Sequence, residues 1–383
     1  MNSTPLVPNV ICHVITTLER GGAENQLLVL VKAQIEQGST VTIVPLKGKP
    51  ELDSEFRKIG AKIYDLRTKS NPIMQIYFLR KALPKNVHIL HAHLPQAELI
   101  CRFAKIRTSV FIITRHFGGQ FYPGRNEFIS KALSRISSKP AKAVIAISTA
   151  VRNQLIANSE IRSTTKIQRI YYGFDCSEFR KSQLRKDLSC EVKNGKTLVL
   201  GTIARLSDEK DYPTLFTSFK MYLELDPSAI LRIAGVGPLA DNLVELARNL
   251  GIEQNITWEG KIADIPNFLN SIDIFILASK FEGFGMVLVE AMCMKKKIIA
   301  AGNSAILEVL GEMGAGIFFE TSNSSSLFSK IVHANNMTPR DFEGEQNLQL
   351  SKFSVKNLIE QTNSLYQKSA WECNIIEHRE PRL

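Results

Sequence analysis

The stretch Ile274-Phe-Ile-Leu-Ala-Ser-Lys-Phe-Glu282-Gly-Phe-Gly-Met-Val-Leu-Val-Glu290-Ala-Met292 runs from an apolar segment, through a glycine-bearing turn, into a second apolar segment. The first segment predicts a buried parallel strand, and the turn predicts the start of a helix. Backbone N–H groups at such a helix start offer a seat for a phosphate group. Glu282 precedes the predicted helix and Glu290 lies on it, so the two carboxylates can act at opposite ends of one bound molecule.

The same alternation of short apolar runs and longer helical segments extends in both directions from this stretch. It is typical of parallel βαβ units. A polar linker over Ser177–Lys196 separates two sets of predicted strands. These strands are Val10–Thr16, Val41–Val44, Ala61–Leu66, Val87–His91, Val110–Thr114, Ala143–Ile147, Ile167–Tyr171, Thr197–Ile203, Ile230–Ala234, Ile256–Glu259, Ile274–Ala278, Ile298–Ala301 and Gly316–Phe319.

The two sets predict an α/β fold of two Rossmann-like domains, each with a doubly wound parallel sheet. The chain of 383 residues has room for domains over residues 1–174 and 175–353. A last amphipathic helix is expected over 354–369, followed by a loose tail over 370–383. Ligands bind such sheets beyond the carboxyl ends of the strands, so two facing domains would enclose a cleft.

The composition fits a soluble globular protein, with 44% hydrophobic and 22% charged residues. No apolar run approaches the roughly 18 residues of a membrane span, and Met1–Asn9 lack the pattern of a secretory signal. We therefore expect a cytoplasmic protein. The six cysteines are far apart and form no CxxC pair, which argues against a zinc site and against a disulfide framework.

Positive charge is concentrated in the first half of the chain. Residues 1–172 have a balance of +15, whereas the remainder has a balance of −4. This excess favours an anionic partner, such as phosphate or the anionic inner face of the cytoplasmic membrane, although a solvated lysine-rich surface has the same composition. The basic half lacks a basic groove motif interleaved with aromatic residues, so nucleic acid is not an expected partner.

Two cations follow the first predicted strand of the second domain, within Gly201-Thr-Ile-Ala-Arg205-Leu-Ser-Asp-Glu-Lys210. Arg205 and Lys210 could clamp a diphosphate and balance the charge that builds on a departing nucleotide. The alternative is that both only pair with the neighbouring acidic residues 208, 209 and 211 at the surface.

Two glycine turns also follow predicted strands. Gly235-Val-Gly237-Pro-Leu-Ala240 matches a GxGxxA dinucleotide fingerprint, but it follows the second strand of its sheet, whereas a pyrophosphate turn follows the first. We interpret Gly235 and Gly237 as a glycine loop that lines the cleft. Gly21-Gly22 opens the first helix and lets a substrate approach the backbone, unless it is only a tight turn.

Histidines end two neighbouring strands of the first domain. His91 and His93 end the fourth strand, and His116 follows the fifth. Their imidazoles can hydrogen-bond sugar hydroxyls or relay protons at the edge of the sheet, or they are buried structural residues. His91 and His93 point the same way, but no third ligand is evident, so no metal site is predicted. His13 is expected in the core.

Together these segments resemble the retaining glycosyltransferases of family 4, which have the GT-B fold. The resemblance covers nearly the whole chain. It depends on Leu18-Glu-Arg-Gly-Gly-Ala-Glu24, Tyr172-Gly-Phe-Asp175, Ala204-Arg-Leu-Ser-Asp-Glu-Lys210 and the E-x7-E segment Glu282–Glu290. The E-x7-E segment combined with an Arg/Lys pair in the correct order is specific, whereas either alone is not.

The resemblance implies a role for each of these positions in the second domain. Arg205 and Lys210 match residues that bind the donor diphosphate, and Glu290 matches the residue that holds the ribose. Glu282 matches the first glutamate, near the transferred sugar. Backbone contacts to the donor are implied for Phe284, Gly285 and Met286.

In the first domain the resemblance implies two further contacts. His116 matches the histidine that reaches the sugar, and Gly22 matches the glycine turn that faces donor phosphate or acceptor. This domain would hold the acceptor, and the helix over 354–369 would return to it. The family generally needs no metal, because cations and helix N-termini replace it, and no cofactor is implied besides the donor substrate.

The implied reaction moves a sugar from a nucleotide-diphosphate sugar to a saccharide or lipid-linked glycan, as in cell-surface polysaccharide or lipopolysaccharide synthesis. Peripheral contact with an anionic membrane would bring the protein to a lipid-linked acceptor. One segment departs from the family pattern, because Asn303-Ser304-Ala305 stands where glycines are expected, although Glu308 is kept.

Three other functions remain open. A sugar-nucleotide epimerase with the GT-B fold would share the nucleotide site and need no second substrate. A non-catalytic sugar-nucleotide-binding protein would keep the fold and the site, although Glu282 and His116 argue against it. An NAD-dependent oxidoreductase would use Gly235 and Gly237 but would not need the Arg/Lys pair or the E-x7-E segment.

Overall fold

The computed structural model describes residues 9–69, 71–84, 86–104, 109–122, 124, 126–161, 163–184, 197–312 and 314–373, with only the backbone for 182–184. These residues form two compact units. Unit 1 contains the chain up to Phe174 together with the chain from Phe353 onward, and unit 2 contains Asp175–Lys352. In the described part of the chain, no helix is long and apolar enough to cross a membrane.

Unit 1 contains a parallel sheet with the strand order β3-β2-β1-β4-β5-β6-β7. Its strands are β1 (Val10–Ile15), β2 (Thr40–Pro45), β3 (Lys62–Ile63), β4 (Ile89–His93), β5 (Val110–Arg115), β6 (Ala143–Ala146) and β7 (Ile167–Arg169). Neighbouring residues such as Ile112 and Ile113 point to opposite faces and are both buried, because both faces of a parallel sheet are covered. All seven predicted strands are present, although β3 is shorter than predicted.

The helices of unit 1 begin and end at recognisable signals. They are α1 (Gly22–Glu36), α2 (Asp53–Lys58), α3 (Pro72–Ala82), α4 (Pro95–Ala104), α5 (Glu127–Ser138), α6 (Thr149–Ala157) and the last helix of the chain, α15 (Val355–Trp371). Asn126 and Ser148 cap α5 and α6 by accepting from backbone N–H groups of the first turn. Gly38 follows α1 with a φ of +86°, the left-handed conformation expected of a glycine at that position.

The last helix packs in unit 1 although the whole of unit 2 separates it from α1 in the sequence. Leu358, Leu365 and Tyr366 of α15 belong to the same buried cluster as the apolar face of α1. The chain leaves unit 1 at Phe174 and returns to it at Phe353. These two points are adjacent, because the N–H of Phe174 donates to the carbonyl oxygen of Phe353 at 2.7 Å. Of the tail expected over 370–383, Ala370 and Trp371 belong to α15, and residues 374–383 lie outside the described residues.

Unit 2 contains a parallel sheet with the strand order β10-β9-β8-β11-β12-β13. Its strands are β8 (Val199–Ile203), β9 (Ile230–Ala234), β10 (Ile256–Gly260), β11 (Ile274–Leu277), β12 (Lys297–Ala301) and β13 (Ile317–Phe319). Its helices are α7 (Cys176–Leu184), α8 (Tyr212–Leu223), α9 (Ala240–Asn249), α10 (Ile265–Asn270), α11 (Met286–Cys293), α12 (Ser304–Leu310), α13 (Ser324–Asn335) and α14 (Arg340–Lys352). The six predicted strands of this half are confirmed.

The predicted polar linker Ser177–Lys196 is partly wrong. Its first part belongs to α7, which packs against α10 and α11 of unit 2. Arg180 anchors this helix, because its Nε donates to the carbonyl oxygen of Cys293 at 2.7 Å. Residues 185–196 lie outside the described residues.

Candidate functional site

The E-x7-E segment forms the end of β11, a turn and the start of α11 in unit 2. Gly285 precedes the helix with a φ of +85°, a left-handed conformation that favours glycine. Phe284 is buried, and Met286 is the first residue of the helix. The strand, turn and helix predicted for this segment are confirmed, and the helix N-terminus offers backbone N–H groups at the turn.

Glu282 is held from three sides within this turn. Its Oε1 accepts from Lys210 Nζ at 2.7 Å and from Ser279 Oγ at 2.7 Å. Its backbone N–H donates to Ser304 Oγ at 3.0 Å. The side chains of Lys210 and Glu282 are 16% and 12% exposed. Lys210 therefore contacts the E-x7-E segment, whereas the surface alternative would have paired it with its sequence neighbours.

Lys210 lies between strand β8 and helix α8. The strand β8 ends at Ile203, and Lys210 ends a short 3-10 turn before α8 begins at Tyr212. Asp211, between the turn and the helix, has a φ of +50°. Its Oδ2 accepts from the hydroxyls of Thr214 at 2.9 Å and Ser322 at 2.7 Å. These bonds fix the residue next to Lys210.

The residues that replace the expected glycines support the same turn. Ser304 has a φ of +44°, a conformation that favours glycine. Its hydroxyl accepts from the N–H of Glu282 and donates to Asn303 Oδ1 at 2.7 Å. Asn303 Nδ2 in turn donates to the carbonyl oxygen of Ser279 at 2.9 Å. The departure from the family pattern thus supplies side chains that hold Glu282.

Glu290 is a half-buried carboxyl in α11. Burial raises its pKa to about 7. None of the hydrogen bonds among the described residues goes to this carboxyl. As a carboxylate it can accept from two neighbouring hydroxyls of a ligand, such as those of a ribose.

Gly235 and Gly237 pack against the segment that carries Arg205. A Cβ atom at Gly235 would lie 1.9 Å from the carbonyl oxygen of Ala204, and one at Gly237 would lie 2.3 Å from that of Leu206. Arg205, between these two carbonyls, is exposed. The fingerprint match therefore has a packing reason, since only glycine lets the loop after β9 approach this backbone so closely.

In unit 1, three histidines form a hydrogen-bonded chain between Tyr172 and Gln34. Tyr172 Oη lies 2.6 Å from His116 Nδ1, and His116 Nε2 lies 3.1 Å from His93 Nδ1. His93 Nε2 lies 3.0 Å from His13 Nδ1, and His13 Nε2 lies 2.9 Å from Gln34 Oε1. The chain thus joins the C-terminal ends of β4 and β5 to α1 through β1.

The amide of Gln34 gives this chain a direction. Because Gln34 Oε1 only accepts, His13 Nε2 carries a hydrogen, and His13 Nδ1 accepts from His93. The same reasoning places a hydrogen on Nε2 of His93 and of His116. His116 Nδ1 is therefore left as an acceptor, and Tyr172 donates its hydroxyl hydrogen to it.

A fourth histidine continues the network beyond Gln34. Gln34 Nε2 donates to Tyr366 Oη at 3.5 Å, and Tyr366 Oη lies 2.6 Å from His91 Nδ1. His91 Nε2 lies 2.7 Å from Thr114 Oγ1. Tyr366 Oη can accept from Gln34 and still donate its own hydrogen to His91 Nδ1. The last helix of the chain therefore takes part in orienting these rings.

Burial lowers the pKa of all four imidazoles, to about 4 for His13 and about 3 for His116, so they are neutral at pH 7. The prediction that His13 lies in the core is confirmed. His91 and His93 are also buried and hydrogen-bonded, which agrees with the alternative that they are structural residues.

The sequence showed no third metal ligand near His91 and His93, but the fold brings His13 next to them. One nitrogen from each of His13, His91 and His93 lies within 4.8 Å of the others, a spacing that could hold a metal ion. The sequence did not show this, because His13 comes from a different strand. Both nitrogens of each ring already have hydrogen-bond partners, so a metal ion would have to replace those bonds.

His116 is half-buried, and both of its nitrogens are engaged within unit 1. A ligand hydroxyl can therefore bond Nδ1 only by replacing Tyr172 Oη. A pocket of about 170 Å³ opens beside His116 and is also lined by Leu94, Arg115 and Phe117. This pocket provides space for a ligand next to the ring.

Gly22 is exposed at the start of α1, and a Cβ atom there would meet nothing within 4 Å. Packing therefore does not require glycine at this position. Glu24, two residues later, is buried, and its Oε1 accepts from Thr17 Oγ1 at 2.6 Å. Burial raises the pKa of Glu24. The turn thus combines an open backbone with a buried carboxyl held by a hydroxyl.

Two protein-family models match the chain, one in each half. Residues 20–178 match the model described as Glycosyltransferase Family 4, and residues 186–339 match the model described as Glycosyl transferases group 1. Together these matches cover most of the chain.

Two of the relatives show how far the similarity extends. N-acetyl-alpha-D-glucosaminyl L-malate synthase of Bacillus anthracis is 24% identical over 254 residues, 65% of this chain and 65% of that protein. The capsular polysaccharide biosynthesis glycosyltransferase CapM of Staphylococcus aureus is 24% identical over 360 residues, 88% and 93% of the two chains. The chain thus spans just under two thirds of the length of the first of these relatives.

A solved structure, HepE of Anabaena in complex with UDP and glucose, resembles the chain with a TM-score of 0.76 at 18% identity. The match covers 94% of this chain and 99% of that one. At this identity the likeness concerns the fold, and it confirms the predicted GT-B class of two Rossmann-like domains.

Proposed function

Since this chain belongs to glycosyltransferase family 4, we propose that it transfers a sugar from a nucleotide-diphosphate sugar to a saccharide or lipid-linked glycan. The observation that carries this proposal is the group at the start of α11. There Lys210 contacts Glu282 at 2.7 Å, and Glu290 presents a carboxyl without a partner among the described residues. A cation, a helix N-terminus and a ribose-binding carboxylate are the groups that a sugar nucleotide needs.

Each residue has a distinct part in the proposed donor site. Glu290 binds the ribose hydroxyls, and Arg205 and Lys210 bind the diphosphate. A bound diphosphate competes with Glu282 for the Lys210 ammonium, which places Glu282 next to the sugar phosphate. Phe284, Gly285 and Met286 present the backbone of the turn to the donor, and the site uses no metal or cofactor.

The proposed reaction retains the anomeric configuration. The bond between the anomeric carbon and the leaving phosphate oxygen breaks, and the acceptor oxygen bonds the same face of that carbon. The acceptor proton passes to the leaving phosphate, whose negative charge Arg205 and Lys210 stabilise. His116 accepts a hydrogen bond from a sugar hydroxyl at Nδ1 after that hydroxyl replaces Tyr172, and Gly22 lets the ligand approach α1.

The donor site can be tested by thermal-shift titration of the full chain with UDP, GDP, their sugars, NAD and NADP. A ligand at a hundred times its Kd should stabilise the protein by about 2.7 kcal/mol. We expect a shift with one class of nucleotide sugar, and its loss in Glu290→Gln and Lys210→Ala. The exposed residues Glu245 and Lys220 supply the matched controls Glu245→Gln and Lys220→Ala. A shift with NAD or NADP alone would contradict the proposal.

Transfer itself requires a second assay, with the nucleotide sugar found above and a panel of saccharide acceptors. Release of the nucleoside diphosphate that depends on the acceptor is expected, together with an α- or β-linkage that matches the donor. An epimerised nucleotide sugar formed without acceptor would instead indicate an epimerase. Binding without either product would indicate a non-catalytic sugar-nucleotide-binding protein.

We also propose that the protein acts at an anionic membrane surface, where a lipid-linked acceptor is presented. The support is the +15 balance of residues 1–172. Co-sedimentation with anionic vesicles at low salt, and its loss at high salt, is the expected result.

A further inference from the structure

Helix α5 of unit 1 buries a polar face and exposes an apolar one. Its buried residues are four serines, namely Ser130, Ser134, Ser137 and Ser138. Three of its large apolar residues are exposed, Phe128 by 83%, Ile129 by 51% and Ile136 by 42%, whereas Leu133 is half-buried. A helix on the surface of a soluble protein ordinarily buries its apolar face and exposes its polar face. An exposed apolar helix face of this kind is typical of a surface that binds a membrane or another protein.

Two of these serines, Ser134 and Ser137, are hydrogen-bonded to a charge cluster beneath α5. Arg115 contacts Glu98 and Glu160, each at 2.9 Å, and donates to Ser134 Oγ at 2.9 Å. Ser134 donates to Glu160 at 2.7 Å, and Ser137 donates to Glu98 at 3.0 Å. A rotation of α5 to bury Phe128 would strip these buried charges of their hydrogen bonds, so the apolar face is fixed outward.

Cations run beside the apolar face. Phe128, Ala132 and Ile136 occupy one row of the helix at four-residue spacing, and Lys131, Arg135 and Lys139 occupy the neighbouring row. The basic row ends at a pocket of about 330 Å³ that is lined by Arg102, Arg135, Ile136, Lys139 and Lys166. Among the described residues that line this pocket, none is acidic.

One atom of this pocket is left without a partner. The Nε of Arg102 is buried and has no hydrogen-bond acceptor in the described part of the chain. The guanidinium of Arg102 lies beside the ring of Phe103, an exposed residue of α4, at 5.5 Å from its centroid. A phosphate oxygen in the pocket would supply the missing acceptor for Arg102 and meet the charges of Lys139 and Lys166.

We propose that α5 and this pocket are the surface with which the protein docks on an anionic membrane, an inference that rests on the membrane-bound acceptor proposed above. Phe128, Ile129 and Ile136 enter the interfacial layer, and the pocket binds a lipid phosphate. Apolar side chains beside a row of cations are what such a surface attracts. A second copy of the chain is not favoured as the occupant, since a symmetric contact would bring the cations of the two copies together.

The proposal can be tested by co-sedimentation of the full chain with vesicles of phosphatidylcholine, with and without phosphatidylglycerol. We expect the double variant Phe128→Ser/Ile136→Ser to bind anionic vesicles at least about tenfold more weakly than the unchanged chain. Lys139→Glu should weaken binding by roughly tenfold, most clearly at low salt. Leu225→Ser/Leu348→Ser, which removes exposed apolar side chains from unit 2, should leave binding unchanged.

Several outcomes would overturn the proposal. Unchanged vesicle binding of the α5 variant would do so, and so would a loss seen instead in Ile73→Ser/Tyr77→Ser, which alters the exposed apolar residues of α3. A dimer that becomes a monomer in Phe128→Ser/Ile136→Ser would identify a second copy as the occupant. The nucleotide-induced thermal shift should persist in every α5 variant, so a failure of docking is distinguishable from a failure of the proposed transferase function.

Discussion

Glu290 is a half-buried carboxyl of the candidate donor site, and no hydrogen bond among the described residues goes to it. Lys210 and Glu282, by contrast, satisfy each other across the turn before α11. Of these three residues, Glu290 is therefore the one whose carboxyl a ligand can bond without displacing a protein partner. A carboxyl whose pKa is raised by burial is typical of a binding site.

The titration of Glu290 should be visible in the stability of the free protein. Burial raises its pKa from about 4.5 to about 7, so the folded chain holds an extra proton between these values. The stabilisation of the folded chain by this raised pKa is fully present below pH 4.5 and is lost as the pH rises through 7. We expect the free energy of unfolding of the unchanged chain, measured against that of Glu290→Gln, to fall across this window by on the order of 1–2 kcal/mol.

Urea unfolding of both chains at pH 5, 6, 7 and 8 measures this difference. Glu245→Gln removes an exposed carboxyl and provides the control, for which the difference should stay flat. The same flat difference for Glu290→Gln would contradict the raised pKa of Glu290.

At the scale of elements, glycine loops and polar networks place the functional groups. The loop after β9 lies against the backbone on either side of Arg205, and the histidine chain connects β1, β4 and β5 with α1 and α15. In both cases an element far away in sequence fixes the position of a candidate site residue. Substitutions in the loop after β9 or in the histidine chain should therefore affect the site even where the substituted residue does not contact a ligand.

Gly235→Ala should displace the segment that carries Arg205. The added Cβ would lie 1.9 Å from the carbonyl oxygen of Ala204, and the φ of +151° at Gly235 is one that other residues rarely adopt. We expect a loss of about 2–4 kcal/mol in the free energy of unfolding and a weaker nucleotide-induced thermal shift. Gly344 lies within α14, and a Cβ there would meet nothing within 4 Å. Gly344→Ala should therefore stabilise the protein by roughly 0.5–1 kcal/mol.

Gln34→Leu should remove the fixed direction of the histidine chain. It leaves the Nε2–H of His13 without its acceptor, which should cost about 1–3 kcal/mol in urea unfolding. Long-range ¹H–¹⁵N spectra should show His116 in one tautomer, with hydrogen on Nε2, in the unchanged chain and in a mixture in the variant. The exposed Asn25 of α1 offers the control Asn25→Leu, and an unaltered His116 spectrum in Gln34→Leu would refute the proposed role of the amide.

The sequence predicted the elements better than the network. Apolar runs located every strand, because strands buried on both faces leave a continuous signal. The helix α7 was missed because it has little apolar periodicity, and the contact of His13 with His93 was missed because strand pairing cannot be read from a single strand. The contacts of Ser134 and Ser137 in α5 gave no signal either, since their partners Glu98, Arg115 and Glu160 lie outside that helix.

At the scale of the whole molecule, charge and chain connectivity divide the two units. The excess of +15 lies within residues 1–172, all of which precede unit 2, and the remainder is weakly acidic. An uneven distribution of this size orients a protein toward an anionic surface. The candidate membrane surface lies in the basic unit, whereas the residues proposed to bind the donor diphosphate and ribose lie in the other.

A chain that ends at Lys352 should lose unit 1 and keep unit 2. Leu358, Ile359, Leu365 and Tyr366 would no longer complete the core around α1, and His91 would lose its contact with Tyr366. Hydrogen exchange should then be fast in β1–β7 and slow in β8–β13, and the nucleotide-induced shift should remain. A chain that ends at Cys373 retains α15 and should show slow exchange in both sheets. Protection of β1–β7 without α15 would contradict this account.

The return of α15 to unit 1 also sets an order of events during synthesis. The first 174 residues leave the ribosome without the helix that covers α1, whereas all of unit 2 has been made before α15 appears. Domains generally fold as they emerge from the ribosome. Unit 2 can therefore fold while the apolar face of α1 in unit 1 is still uncovered. Unit 1 is thus completed only after unit 2 has been made, and chaperones have their longest opportunity to bind where α15 will cover α1.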